Sequence, residues 1–396
     1  MMDLKENALG EDFMKFAIGA AILGSTPFSA SLAQDMAWTT TTLGTGIKPA
    51  IAIDANDSPH VSFLIEDFAG AVFYATPSGE DWVIQNVAQG YFYGPVDIDV
   101  TADGTPFVVY HDHQDQNFNP VLGAGVVHTL NNGVWQTDVI EDGGHDQWDI
   151  DVAADTDGNW HFAGVDPIQF GSQDGIEYGT NAYGDTIIEQ IGSGPILYEF
   201  GVSIEVAPDG AVGLTYFDTN TQDLIYATRT PGREGQWTLE TVASEGDSGR
   251  YSDLHYDADG VPHISYFQFE PTFRSGTVMY ATKSDGTWVL KAVNPLNLIT
   301  PGRFAARKVT NIDQSSDGSI VIMSGDAAEI LYASQVDDGW SVSQAYVATG
   351  RELGQIVEFA LDGSDRPHAV FHEVDQIISA GVQGEVIYLT GRPSGG

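Results

Sequence analysis

Three of the ten histidines lie within one short stretch of the chain, at His111, His113 and His128. Imidazole titrates near neutral pH, so a histidine can take up or release a proton under physiological conditions. Two histidines on neighbouring strands are therefore suited to general acid and base roles on one substrate. We take His111 and His128 as the candidate catalytic pair. The alternative is that both are ordinary hydrogen-bonding side chains of the fold.

Three arginines in the second half of the chain each follow a glycine. They form the pairs Gly249-Arg250, Gly302-Arg303 and Gly350-Arg351. A guanidinium group binds a carboxylate or a sulfate through two parallel hydrogen bonds. These arginines therefore predict a site that captures an acidic group. The alternative is that they form ion pairs within the fold.

The pattern of acidic residues and histidines does not call for a metal or a cofactor, and we expect none to be required. His111, Asp112, His113 and Asp115 leave a structural divalent cation open, but their spacing is unspecific. The many Asp-Gly segments lack the spaced ligand pattern of a calcium loop. We interpret them as turns.

The charge of the chain excludes one class of partner and disfavours another. Asp and Glu number 56 against 15 Lys and Arg, for a net charge of −41. Nucleic-acid binding requires a basic surface, and an anionic membrane would repel this chain. There is no cysteine, so neither disulfides nor thiolate metal sites can contribute. Stability has to come from a large apolar core.

The N-terminus carries the features of a secretory signal. The segment MKFAIGAAILGSTPFSASLAQ starts at Met14 and ends in the small-x-small motif Ser31-Leu32-Ala33 before Gln34. A lysine, an apolar run and such a motif are typical of a signal peptide. We assign residues 1–33 to it, with Met14 as an alternative start, and expect an extracellular or periplasmic protein. Residues 34–396 are then a single domain.

Seven segments share two alternating apolar runs joined by a turn, a pattern typical of a β-hairpin. They begin at Ala50, Asp97, Asp149, Val202, Ser252, Thr310 and Val357. Each continues into a third run, and five fourth runs open with tryptophan, at Trp82, Trp135, Trp237, Trp288 and Trp340. A period of about 50 residues with four short strands is typical of a propeller blade. The sequence predicts an all-β, seven-bladed β-propeller, and a pair of β-sandwiches is the alternative.

The seventh unit lacks a fourth run before the chain ends. The segment AWTTTTLG, from Ala37, stands alone before the first unit and reads as a strand. We expect it to complete blade seven and close the ring, which would leave no open sheet edge.

Blade topology sorts the candidate residues onto two ends of the ring. The first strand of a unit begins, and the second ends, on one face, which we call the top face. His60, His161, His263 and His368 recur at one repeat position near the opposite end, so we interpret them as structural. His111, His145, His372, Tyr198, Tyr251 and the three arginines are expected at the top face. We interpret His128 as occupying the position where other third strands carry tyrosine.

The repeats resemble a known group of proteins. Pro262–Tyr266 (PHISY), Met279–Thr282 (MYAT) and Asp285–Trp288 (DGTW) are similar to secreted bacterial propellers with sialidase-type (BNR-like) repeats. The resemblance covers nearly the whole mature chain. Among such propellers, the ulvan lyases are seven-bladed and use a histidine pair with a tyrosine and an arginine on the top face.

This resemblance implies a site. Its catalytic residues would be His111, His128, Tyr178 and Arg250. Its substrate-binding residues would be His145, Tyr198, Tyr226, Tyr251, Arg303, Arg351 and His372. The chain has no arginine between Gln34 and Thr228, so the tyrosine and arginine roles are assigned by position alone.

The implied function is that of a secreted polysaccharide lyase. It would cleave an acidic, uronate-containing polysaccharide such as ulvan, with or without sulfate groups, by β-elimination. Two alternatives stay open: a non-catalytic propeller that binds carbohydrate or protein, and a sialidase-like glycoside hydrolase. We expect a monomer whose partner is an acidic polysaccharide, with neither nucleic acid nor membrane as a partner.

Overall fold

The computed structural model describes residues 36–65, 70–90, 92–112, 124–140, 149–166, 175–192, 201–270, 275–296, 309–326, 328–349, 351–354, 357–378 and 381–393. Within these ranges the secondary structure is β-strand, with no α-helix. Accordingly, the described residues include no helix long and apolar enough to cross a membrane. The strands form seven antiparallel sheets.

The first four sheets follow the chain in order, and the strands of each run from the innermost to the outermost. Blade one contains β2 to β5, which span Ile47–Ile53, Pro59–Ile65, Gly70–Ser78 and Asp81–Gly90. Blade two contains β6 to β9, which span Phe92–Val100, Pro106–Asp112, Ala124–Asn131 and Val134–Val139. Blade three contains β10 to β13, which span Ile150–Ala154, Trp160–Asp166, Gly175–Thr180 and Ile187–Ile191. Blade four contains β14 to β17, which span Val202–Val206, Val212–Asp218, Asp223–Arg229 and Trp237–Ala243.

The remaining sheets complete the ring. Blade five contains β18 to β21, which span Asp247–Tyr256, Pro262–Phe269, Gly276–Ser284 and Thr287–Leu296. Blade six contains β22 to β25, which span Thr310–Gln314, Ile320–Gly325, Glu329–Val336 and Gly339–Val347. Blade seven contains β26 to β29 and then β1, which span Glu352–Leu353, Glu358–Leu361, Pro367–Ile378, Gly381–Pro393 and Met36–Thr45.

The prediction of a seven-bladed β-propeller closed by an N-terminal strand is confirmed. Strand β1 pairs antiparallel with β29, and Trp38 lies opposite Gly391. The first described strand therefore supplies the outermost strand of the last blade. This pairing joins the first and the last described segments in one sheet.

Aromatic pairs connect neighbouring blades. At six of the seven junctions a tyrosine on the third strand of one blade meets the edge of a tryptophan on the outer strand of the next. The ring centroids are 4.9–5.6 Å apart in the pairs Tyr74–Trp135, Tyr178–Trp237, Tyr226–Trp288, Tyr280–Trp340, Tyr332–Trp38 and Tyr388–Trp82. Between blades two and three Val127 takes the tyrosine position, and Trp160 fills the core beside it. Edge-on aromatic contacts contribute more stability than their buried area alone provides, so the repeated tryptophans stabilise the contacts between blades.

The four recurrent histidines have a structural role, as predicted. In blades one, three, five and seven, the histidine Nδ1 lies 2.5–2.8 Å from the hydroxyl of the junction tyrosine. The histidine Nε2 lies 3.2–3.5 Å from the turn aspartate. The relays are Asp54–His60–Tyr74, Asp155–His161–Tyr178, Asp257–His263–Tyr280 and Asp362–His368–Tyr388. Each relay couples a hairpin turn to a blade junction, which explains why the histidine recurs in register.

Candidate functional site

The inner strands of all seven blades surround a central channel of about 370 Å³. Side chains enter it in two layers, because alternate residues of a strand point the same way. Seven of the lining side chains are carboxylic acids, namely Asp97, Asp99, Asp151, Glu205, Asp253, Asp313 and Glu358. The channel therefore concentrates part of the negative charge of the chain on the ring axis.

These carboxylates bind the backbone of the next blade. Asp97 accepts a hydrogen bond from the Val152 amide at 2.9 Å, and Asp151 accepts one from the Ile204 amide at 2.8 Å. Asp253 accepts one from the Ile312 amide at 2.8 Å. An innermost strand is the edge of its sheet, with N–H groups directed away from the neighbouring strand. The carboxylates satisfy these amides and tie one blade to the next.

Burial raises the pKa values of the acids in one of the two layers, which contains Asp99, Glu205 and Asp313. Burial raises the pKa of Asp99 to about 7, although the amides of Ala154 and Val100 oppose the shift. Burial also raises the pKa values of Glu205 and Asp313, while the charge on His255 opposes the shift in both. The channel therefore carries less negative charge at neutral pH than its composition indicates.

The structure separates the two candidate catalytic histidines. His111 lies opposite Gly125 and His128 lies opposite Val108, so they are on neighbouring strands as predicted. Their positions along the ladder differ by three residues. Because side chains alternate between the faces of a sheet, His111 is directed to the junction with blade three and His128 to the junction with blade one. The geometry does not bring them onto one substrate.

The interpretation that His128 replaces the junction tyrosine is wrong by one residue. In blade five, Tyr280 lies opposite Ser265, two positions after His263 in its strand. The corresponding position in blade two is Val127, opposite Val109. His128 is therefore on the other face of the sheet from the junction tyrosines. A shift of one residue exchanges the faces of a strand, which is the physical reason for the error.

His128 is buried and bound within blade two. Its Nε2 lies 2.7 Å from the Tyr110 hydroxyl, and the two rings stack. Burial lowers the pKa of His128 to about 4, against the opposing charge of Asp138. The imidazole is neutral at physiological pH.

His372 lies within β28, the second strand of blade seven, at the repeat position that His111 holds in blade two. Its Nδ1 accepts a hydrogen bond from the Lys48 amide at 3.4 Å. Burial, and after it the charge of Lys48, lowers the pKa of His372 to about 3. A Cβ at Gly354 would overlap the imidazole, so His372 is packed tightly between strands. Lys48, which the sequence did not single out, donates through Nζ to the Gly94 carbonyl at 3.1 Å.

Arg250 is fixed at the top of blade five. Its Nε and Nη2 both donate to the Asp247 carboxylate at 2.6 Å. The guanidinium carbon lies 4.9 Å from the ring centre of Phe217 and 5.0 Å from that of Phe269. The guanidinium group is thus held in one orientation by two parallel hydrogen bonds and two aromatic rings. The carboxylate that it binds is that of Asp247, a residue of the protein itself.

Arg351 forms ion pairs within blade seven. Its Nη1 donates to Glu385 at 2.9 Å and lies 3.9 Å from Glu373. Glu373 also accepts a hydrogen bond from the Tyr346 hydroxyl at 2.6 Å. Both predicted arginines that the structure describes are therefore paired with acidic residues, as the alternative interpretation expects.

The three described tyrosines of the predicted site are buried. Tyr178 and Tyr226 are junction tyrosines, and the Tyr226 hydroxyl lies 2.6 Å from that of Tyr256. Burial raises the pKa of Tyr178 above its usual range and that of Tyr226 to about 12. Tyr251 packs in the core between blades five and six and is 6% exposed. This packing places all three rings inside the blades rather than on the rim.

Three predicted substrate-binding residues, His145, Tyr198 and Arg303, lie outside the described residues, as do His113 and Asp115. Within the described ranges, the His, Asp and Glu side chains form no group arranged to hold a metal ion. The described part of the top face thus includes His111 near the end of β7 and Lys48 near the start of β2, with Arg250 in β18 and His372 in β28.

Sequence reasoning did not identify the channel acids. A signal for them was present, because the inner strands repeat an acidic or polar residue at alternate positions, as in DID from Asp97 and from Asp149. Such alternation places the acids on one face of a strand. That this face lines the axis follows only once the blades are arranged in a ring.

No protein-family model matches the chain, and no curated protein matches it in sequence. Solved structures match it in fold. An ulvan lyase of polysaccharide lyase family PL25, bound to -[GlcA(1-4)Rha3S]-, is 11% identical with a TM-score of 0.53, over 90% of this chain and 96% of the lyase. Polysaccharide lyase Uly1 is 11% identical with a TM-score of 0.50, over 87% and 89% of the two chains. At these identities the matches show the shared propeller fold.

A more distant match is a mutant of the Aleuria aurantia lectin in complex with Fucalpha1-6GlcNAc. It is 13% identical with a TM-score of 0.46, over 75% of this chain and 94% of the lectin.

Proposed function

We propose that this protein is a polysaccharide lyase that cleaves a uronate-containing polysaccharide by β-elimination at the top face of the ring. The observation that carries the proposal is the fold match along 90% of this chain and 96% of an ulvan lyase bound to a glucuronate–rhamnose sulfate unit. Uly1, a second polysaccharide lyase, matches over a similar share. Export by the predicted signal peptide would bring the protein to such a polymer.

The chemistry of β-elimination determines what the site has to provide. A cationic or hydrogen-bonding group neutralises the uronate carboxylate, which makes the C5 proton more acidic. A base removes that proton, and an acid protonates the leaving oxygen. A neutral histidine can serve as the base, and a guanidinium group suits the carboxylate.

Among the predicted catalytic residues, His111 has the placement that fits this role best. It is the penultimate residue of β7, where the second strand of blade two reaches the top face. The connection to β8 is longer than in most other blades, and long connections on a rigid scaffold often carry function. His128 is directed away from His111 and is bound to Tyr110, so we assign His128 to the fold.

A second candidate function is supported by a specific observation. Buried side chains include His111, at 2% exposed, together with His128, Tyr178, Tyr226 and Tyr251. Arg250 already holds a carboxylate of the protein. A propeller that binds carbohydrate without cleaving it requires no matched acid and base. A non-catalytic binding module therefore stands as the alternative.

The first experiment exposes the purified protein to a panel of uronate polysaccharides, including one of glucuronate and sulfated rhamnose. Elimination creates a double bond, which is followed by its ultraviolet absorbance. We expect an increase with at least one polymer. No increase with any of them, together with saturable binding in calorimetry, would replace the lyase by the binding module. Release of free sugar without a new double bond would instead indicate a glycoside hydrolase.

The role of His111 is tested with a matched pair of variants. We expect His111→Gln to lose turnover while circular dichroism and thermal unfolding show a folded protein. His128→Gln serves as the control and should retain turnover, because His128 lies on the other face of the sheet. Retained turnover in both variants would contradict the assignment of His111, and loss only in the control would exchange their roles.

A further inference from the structure

The channel contains one basic side chain among its lining residues, His255 in the innermost strand of blade five. His255 lies opposite His263 in the ladder, and Glu205 and Asp313 hold the same position in blades four and six. Blade five thus carries an imidazole where both of its neighbours carry a carboxylate. The imidazole of His255 is therefore flanked by the carboxyl groups of Glu205 and Asp313.

The distances place all three groups in contact range. The His255 Nδ1 lies 3.4 Å from the Glu205 carboxylate and 3.9 Å from that of Asp313. The backbone fixes both acids, since Glu205 accepts from the Tyr256 amide at 2.8 Å and Asp313 from the Leu361 amide at 2.7 Å. The imidazole is therefore held between two anchored carboxylates.

We infer that His255, as an imidazolium ion, is the internal counter-ion of the channel and ties blades four, five and six together through Glu205 and Asp313. Loss of its proton in alkaline solution removes this tie. Two carboxylates of neighbouring blades then face each other across an uncharged ring. The strand contacts at this part of the channel are weakened, and the ring becomes easier to unfold.

The charged surroundings of His255 come from every strand packed against it. Glu205 faces it from β14, Asp313 from β22, Asp253 from its own strand and His263 from β19. Strands β15 and β16 pack on the neighbouring Tyr256 through Gly213 and through Tyr226. Because burial raises the pKa of Tyr226 to about 12, the tyrosine that β16 places against Tyr256 is uncharged near neutral pH.

The balance of these effects favours the charged imidazole. Burial alone would lower the pKa of His255, but the charge and hydrogen bond of Glu205, with Asp313 and Asp253, raise it to about 9. The ordinary value for histidine is about 6.5. A group whose pKa is higher in the folded state contributes stability that is complete below the unfolded value and is lost as the pH rises through the folded value. The expected window runs from about 6.5 to about 9.

The experiment measures the thermal unfolding midpoint of the full chain from neutral to alkaline pH. We expect the midpoint of the wild-type protein to fall from pH about 6.5 and to stop falling on this account above about 9. His255→Gln should have a lower midpoint at neutral pH and lose this fall. His255→Lys should move the fall to higher pH, because a lysine keeps its proton up to about 10.4 in water.

The Gln variant also controls for the tyrosines and lysines that titrate in alkaline solution, since it keeps all of them. If His255→Gln shows the wild-type pH profile, the counter-ion role is excluded. Should that variant fail to fold, an NMR titration of the wild-type His255 imidazole decides the question. A midpoint near 9 supports the inference, and one near the ordinary value of histidine overturns it.

Discussion

The Tyr110 hydroxyl lies 2.7 Å from the Nε2 atom of His128, and the two ring centroids are 5.3 Å apart. Four other blades contain the inverse arrangement, with histidine on the second strand and tyrosine on the third. Blade two thus keeps a hydrogen-bonded His–Tyr pair but exchanges the strands that carry it. This exchange places the pair at the junction with blade one, where both side chains are buried.

The Asp–His–Tyr relays should contribute measurably to stability. Tyr280→Phe removes the hydroxyl that lies 2.7 Å from the Nδ1 atom of His263 and leaves a buried nitrogen without that partner. We expect a loss of about 1–3 kcal/mol in the free energy of unfolding, measured in urea at neutral pH. Tyr332→Phe is the matched control, because blade six has Val321 at the histidine position. Equal losses in the two variants would show that the relay adds nothing.

Because β1 closes the ring, we expect the protein to tolerate transfer of this strand to the C-terminus but not its deletion. Deleting Met36–Thr45 exposes the edge of β29, so we expect aggregation or loss of the cooperative unfolding transition. In a permuted chain the same ten residues follow Pro393 through a short turn, which the pairing of Met36 with Pro393 permits. Size-exclusion chromatography and circular dichroism should show the permuted chain folded. A deletion variant with wild-type stability would contradict the role of β1.

Acid should destabilise the protein through its buried histidines. The pKa of His372 is lowered to about 3, so the unfolded state binds a proton more readily and stability falls as the pH drops below about 6.5. Asp99, with its pKa raised to about 7, opposes this trend because its folded form binds the proton more readily. We expect His372→Gln to reduce the slope of unfolding free energy against pH by about 1.4 kcal/mol per pH unit below 6.5.

His255 serves as a comparison in the acid experiment, because its pKa is raised in the folded state whereas that of His372 is lowered. His255 has a pKa of about 9 in the folded state, so it is charged in both states below pH 6. His255→Gln should therefore act on the acid slope only through Glu205 and Asp313, whose pKa values the charge of His255 holds down. If His372→Gln and the wild-type protein have the same slope, the imidazole of His372 is not the neutral buried group described above.

The Arg250–Asp247 pair should be energetically coupled. The two side chains are 16% and 6% exposed and share two hydrogen bonds of 2.6 Å. We expect a double-mutant cycle of Arg250→Lys and Asp247→Asn to give a coupling energy of about 1–3 kcal/mol, because lysine cannot form the fork. A coupling near zero would mean that the guanidinium is available to a ligand. In that case Arg250→Lys should weaken polymer binding more than it weakens the fold.

The sequence by itself determined the architecture. Alternating apolar runs, Asp/Gly turns and the recurring tryptophans are local features, and each reports the strand or turn that contains it. Seven such units and one orphan strand are sufficient for the ring and its closure. The structural role of His60, His161, His263 and His368 was also readable, because a residue repeated in register has the same neighbours in each blade.

Only the tertiary structure decided which side chains meet. Whether His111 and His128 share a site depends on strand register, where a shift of one residue reverses every side chain, and the composition of β8 does not fix that register. The channel acids Asp97 and Asp151 bind amides of the next blade 55 and 53 residues away, so these pairs form only when neighbouring blades pack together. His255 shows the same dependence. Its charge is set by Glu205 and Asp313, which are distant in sequence and adjacent in space because seven inner strands surround one axis.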